Sequence, residues 1–159
     1  MAAGSTYTKI AATTLSSPSS SYTFSSISGS YTDLVLVVSV NRSTSGVDAI
    51  KVRLNGDTGT NYSMTRLVNG GSDRATGANY WDAPAFVDGS NTSNMIMQFN
   101  KYANTTNYKS ALIRGNTATF ASAATIATWR SNSAITSIEV FVSTMDTGTQ
   151  LSLYGILAA

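Results

Sequence analysis

In DAIKVRLN, residues 48–55, Ile50, Val52 and Leu54 alternate with Lys51 and Arg53, the period of two that a half-buried β-strand imposes. YTDLVLVVSV, 31–40, places Leu34, Leu36, Val38 and Val40 on one face and adds Val35 and Val37 on the other, so this strand is expected to be covered on both sides. AITSIEVFV, 134–142, sends Ile138, Val140 and Val142 inward and leaves Glu139 and Phe141 opposite, where Phe141 needs a partner. Met95, Met97 and Phe99 share a face of NMIMQFNKY, 94–102, which reads as a packed strand. The same pattern predicts strands over 7–15, 21–27, 61–68, 107–115, 125–131 and 150–157, nine or ten in all. No window carries a helical stripe with caps at both ends.

Short strands separated by Ser, Thr, Asn and Gly turns predict an all-β, single-domain sandwich spanning 1–159. At 159 residues the best fit is a jelly roll of about 8–10 antiparallel strands, eight of them basic to the fold and a few accessory. The apolar ending LSLYGILAA is then a core strand rather than a frayed tail. NGDTGTN, 55–61, is expected to be a hairpin turn after the strand that ends at Leu54, because Asn-Gly supplies the positive φ angles of a tight reversal. NGGSDRATGANYWDAPAFVDGSNTS, roughly 69–93, reads as one long irregular loop.

Charge sharpens this picture. Only 11% of residues are Asp, Glu, Lys or Arg, against about 25% in an ordinary domain, so the surface is wet but weakly self-repelling. The net charge is +2 and the ten basic residues are scattered along the chain, which argues against a nucleic-acid footprint. No basic segment followed by an apolar run opens the chain, and LVLVV at 34–38 is far too short to span a bilayer. A soluble, apparently complete product is expected, with no membrane partner.

Reactive chemistry is sparse. Without histidine or cysteine there is no Ser-His-Asp triad, no thiolate nucleophile, no disulfide and no Cys-based zinc site. Two carboxylates could in principle hydrolyse a glycoside, but Asp33, Asp48, Asp57, Asp73, Asp82, Asp88, Glu139 and Asp146 mostly sit in turn-like contexts and no pair stands out. NGDTGTN resembles a calcium loop only in its oxygen content, and its glycine and acid spacing fail the EF-hand pattern. No cofactor or metal is expected. Four Asn-x-Ser/Thr sequons, at Asn41, Asn61, Asn91 and Asn104, are about what this Ser- and Thr-rich composition produces by chance.

The adjacent rings Tyr80 and Trp81 are the most suggestive pair. Set in a polar loop, they plug an end of the sandwich, anchor a neighbouring subunit or stack on a sugar. Trp129, on a strand, reads as core. Val35, Val37 and Phe141 are apolar residues that a simple two-face pattern leaves uncovered, and they are nominated as subunit contacts, with cover by a second sheet or a loop the equal alternative.

Four stretches resemble small tailed-bacteriophage virion proteins of the jelly-roll type: YTFSSISGSYTDLVLVVSV (22–40), RLNGDTGTNYS (53–63), WRSNSAITSIEVFVS (129–143) and GTQLSLYGI (148–156). The resemblance implies a jelly roll used in capsid decoration (cement) proteins or in tail or head fibres, commonly as a trimer, and it specifies no active site. Fibre proteins usually carry an attachment or coiled-coil segment first, whereas strand pattern begins here at about Tyr7. The expected role is therefore a non-enzymatic decoration protein. It is expected to form a homotrimer, contact the major capsid protein and sit on the outer capsid surface of the virion after synthesis in the host cytoplasm. The alternative is a fibre or adhesin module that binds host surface polysaccharide through the 69–93 loop and Tyr80 or Trp81.

Overall fold

The structure, a computed structural model, describes residues 6–44, 46–88, 92–117 and 121–157, with the side chains of 84–88 and 121 left aside. Among the described residues twelve strands follow one another: β1 (Tyr7–Thr14), β2 (Ser19–Phe24), β3 (Asp33–Val40), β4 (Val47–Leu54), β5 (Tyr62–Val68), β6 (Gly71–Ala78), β7 (Trp81–Asp88), β8 (Ser93–Asn100), β9 (Lys109–Thr117), β10 (Ala121–Trp129), β11 (Ile138–Met145) and β12 (Gln150–Ile156). They form an eight-stranded sheet, β1-β12-β3-β8-β9-β10-β5-β6, and a four-stranded sheet, β2-β11-β4-β7. Every neighbouring pair is antiparallel.

Set the hairpins β9–β10 and β5–β6 aside, and β1-β12-β3-β8 faces β2-β11-β4-β7, the strand order of a jelly roll. The two hairpins continue the first sheet beyond β8. The count exceeds the sequence expectation because β6 and β7 lie in the segment read as a loop. β6 is an outermost strand of small and polar residues, mostly exposed, so it has no buried face to announce it. β7 contains Pro84, and a proline is tolerated there because β7 is the edge of the small sheet.

The two Asn-Gly pairs exchange their expected roles. At 55–56 the tight reversal is real: both residues have positive φ, and the Asp57 N–H donates to the Leu54 carbonyl at 2.9 Å. The strands on either side then part, β4 into the small sheet and β5 into the large one, so the turn is a crossover and no hairpin. At 69–70, inside the supposed loop, Asn69 and Gly70 also have positive φ and close the β5–β6 hairpin, with Val68 paired to Gly71.

One continuous core fills the sandwich, with Leu34, Leu36, Val38, Leu151 and Leu153 meeting Ile50, Val52, Leu54, Ile138 and Val140. Where the added hairpins meet β7, the core turns aromatic. The Trp81 ring lies edge-on to Tyr62 at 5.7 Å and 6.3 Å from Phe99, and Tyr62 stacks on Trp129 at 6.3 Å. The indole N–H of Trp81 donates to the Thr128 carbonyl at 3.2 Å, so the ring buries no unsatisfied donor.

The crossover loop is pinned to this cluster through Asp57. Its carboxylate accepts from Trp129 Nε1 at 2.6 Å, Asn61 Nδ2 at 2.9 Å and the Gly59 N–H at 2.8 Å. Partial burial opposes the charge, but these donors outweigh it and hold the carboxyl below the ordinary aspartate range. On the small sheet, donation from Lys51 and the Ser143 N–H likewise overcomes burial and holds Asp48 at about 2. A depressed folded-state pKa stabilises the fold above the unfolded value near 4 and loses that contribution as pH falls through the folded value. Acid unfolding should therefore steepen between about pH 4 and pH 2. In Asp48→Asn and Asp57→Asn that segment of a stability-versus-pH curve should flatten, with Asp57→Asn also costing about 2 kcal/mol at neutral pH.

Candidate contact surface

The two sheets turn different outer faces to solvent. On the small sheet, Phe141 has its partners within the chain. Its ring meets Tyr80 edge-on at 5.6 Å, and the Arg53 guanidinium lies 4.7 Å from its centroid. Lys51 sits 5.9 Å from the Tyr80 centroid. Lys51 pairs with Asp48 at 2.8 Å and Arg53 with Glu139 at 2.7 Å, and at the sheet edge Asp82 of β7 accepts from Arg66 of the large-sheet strand β5 at 3.0 Å, an arginine that also pairs with Asp73 of β6 at 2.6 Å. This face is closed on itself by cation–π contacts and ion pairs.

Among the described residues no other element covers the outer face of the large sheet. Cross-strand register places Val37 beside Ile96, Leu112 beside Ile126, and Ala124 beside Leu67. Ile126 is 67% exposed and Leu67 57%, while Val37, Ile96 and Leu112 are each more than a third exposed. Scattered exposed aliphatics need no explanation, but five on neighbouring strands of one face form a patch. The charged residues of this face are Lys9, Arg74, Arg114 and, at its corner, Asp33, whose carboxylate accepts the Lys101 N–H at 2.7 Å. Among the described residues none of the three cations has a carboxylate partner.

Hollows interrupt this face, two of them beside its exposed isoleucines. One, of about 440 Å³, is lined by residues that include Asn94, Ile96, Arg114, Asn116 and Ser122. The other, of about 200 Å³, is lined by Ser63, Met64, Thr65, Arg74, Ile126 and Thr128. Each sets one isoleucine beside one arginine without a carboxylate partner among the described residues, Arg114 donating instead to Gln98 Oε1 at 3.5 Å.

No family model, curated protein or solved structure matches the chain.

The nominated residues fall in different places. Trp81 is corrected from a loop ring to a core ring: it opens β7 and is 0% exposed, because the added strands β5 and β10 need an aromatic plug where they meet β7. Tyr80, beside it in sequence, points to the opposite side and is half-buried over Phe141. Val35 and Val37 both face outward from β3, yet only Val37 is open. Val35 is 6% exposed, flanked in register by the longer side chains of Tyr154 and Gln98. Ile96, Leu112, Ile126 and Leu67 were not anticipated. Each was visible as the odd apolar residue on the polar side of its strand, but only the strand order shows that they are neighbours.

Every carboxylate whose side chain is described accepts a hydrogen bond within the chain: Asp33, Asp48, Asp57, Asp73, Asp82, Glu139 and Asp146. No group of three acidic side chains comes together among the described residues. Asp88 and the sequon at Asn91 lie outside the described side chains.

Proposed function

We propose that this chain is a non-enzymatic virion structural protein of a tailed bacteriophage, a capsid decoration protein. In this reading it forms a trimer and binds the outer capsid lattice against the major capsid protein, bridging capsomers so that the shell resists internal pressure. The observation that carries the reading is the contrast between the two outer faces, one closed by its own ion pairs and one left apolar and sparsely charged. A protein whose task is contact benefits from such a face, because few charges have to be stripped of water when it docks. The jelly-roll order and the internally satisfied carboxylates agree with a scaffold for contact, and the residues resembling small phage virion proteins supply the biological setting.

The test mixes purified protein with undecorated capsids. Saturable uptake at symmetry-related lattice positions, with three subunit densities per site in particle images, is the expected result. Adhesion to host cells without lattice uptake would replace this reading with the fibre or adhesin one.

A further inference from the structure

We infer that the outer face of the eight-stranded sheet docks a protein surface that carries carboxylates among apolar side chains. The inference deepens the reading of this face as a contact surface by naming what it meets.

Charge decides the chemistry. Lys9, Arg74 and Arg114 face outward from this sheet without a carboxylate partner among the described residues, whereas Lys51, Arg53 and Arg66 are all paired elsewhere. In the two hollows, Ile96 lies with Arg114 and Ile126 with Arg74, so each offers an apolar wall and a charge-assisted donor side by side. An aspartate or glutamate flanked by an aliphatic or aromatic residue satisfies both halves of such a hollow.

Size is sufficient. Eight strands about 4.8 Å apart, each about eight residues long at about 3.3 Å per residue, present roughly 1,000 Å². That covers the share of about 800 Å² that one partner gives to an interface of standard size.

Other occupants fit less well. The same face of a second copy would set cation against cation, and the described carboxylates of this chain are engaged within their own copy. Nucleic acid is met by clustered cations. Here Lys9, Arg114 and Arg74 stand on β1, β9 and β6, four and three strands apart, about 19 and 14 Å, with exposed Val37, Ile96, Leu112, Ile126 and Leu67 between them.

The test uses a random copolymer of glutamate and tyrosine as probe, with the full chain isotope-labelled at Ile, Leu and Val methyls. Titration should shift the methyls of Val37, Leu67, Ile96, Leu112 and Ile126, and raising the ionic strength should weaken the binding. Arg74→Glu/Arg114→Glu should weaken it about tenfold without lowering the thermal midpoint, since both residues are exposed. Lys51→Glu, on the opposite sheet, should leave it unchanged. Shifts confined to the Tyr80 and Phe141 side, indifference to the double substitution, or tighter binding at this face by duplex DNA or anionic phospholipid vesicles would overturn the inference. Undecorated capsids that take up wild type and double variant alike overturn it while leaving decoration standing. Copolymer binding at this face without capsid uptake sinks decoration and leaves the inference intact.

Discussion

Trp81→Ala should remove about 3–5 kcal/mol of folding free energy and lower the thermal midpoint by about 10 °C. The indole is wholly buried, touches Tyr62 and Phe99, and satisfies its own N–H on Thr128. Truncation leaves a cavity between β7 and the strands β5 and β10, and the surrounding rings can collapse into it only in part. A domain stable by roughly 5–15 kcal/mol in all comes close to unfolding under such a loss. Trp81→Phe keeps the ring contacts and should cost about half as much. Denaturant titration followed by circular dichroism measures both. A Trp81 that served only as an exposed sugar platform would show a change within about 0.5 kcal/mol, as surface substitutions usually do.

Gly155→Ala should destabilise by about 2 kcal/mol through crowding. Gly155 lies on β12 opposite Leu34 and faces the core, where the Tyr31 ring occupies the space a side chain would need. A Cβ built there would come within 2.3 Å of Cγ and Cδ1 of Tyr31. Gly155 is not one of the glycines with positive φ, so space is the whole requirement and strain in the backbone plays no part. The Tyr31 N–H donates to the Tyr102 hydroxyl, and Thr32, next along the chain, donates its N–H to the Ile156 carbonyl at 2.8 Å, so the ring has little room to retreat. A double-mutant cycle isolates the effect. In a Tyr31→Ala background, Gly155→Ala should cost almost nothing. Equal costs in both backgrounds would show that the glycine is needed for another reason.

Much of the fold was legible because burial against one sheet repeats every second residue. The alternation of Ile50, Val52 and Leu54, or of Met95, Met97 and Phe99, survives any ambiguity in where a strand begins. Two strands escaped for opposite reasons. β6 borders the large sheet and presents Gly71, Ser72, Asp73 and Arg74 to water on both sides, so it carries no period. β7 carries Trp81 and Ala83 inward around Asp82, but a proline and a neighbourhood dense in Gly, Asn and Ser concealed that short pattern. The contact face was legible only at Val37. Ile96, Leu112, Ile126 and Leu67 each looked like a single exposed aliphatic within its own strand, which is unremarkable for a soluble protein.

Period, turn chemistry and composition are local properties, and they determined that this chain is an all-β sandwich of short antiparallel strands. Composition also fixed that the chain has no histidine and no cysteine. Tertiary structure alone decided which strands lie side by side. That choice made one Asn-Gly turn a crossover and the other a hairpin, drew Trp81 into the core, and gathered on one face five separate aliphatics and three cations that have no carboxylate partner among the described residues. The reason is that strand pairing joins residues distant in sequence through backbone hydrogen bonds that are alike at every position. Side-chain alternation along one strand therefore says which face is buried and nothing about its neighbour.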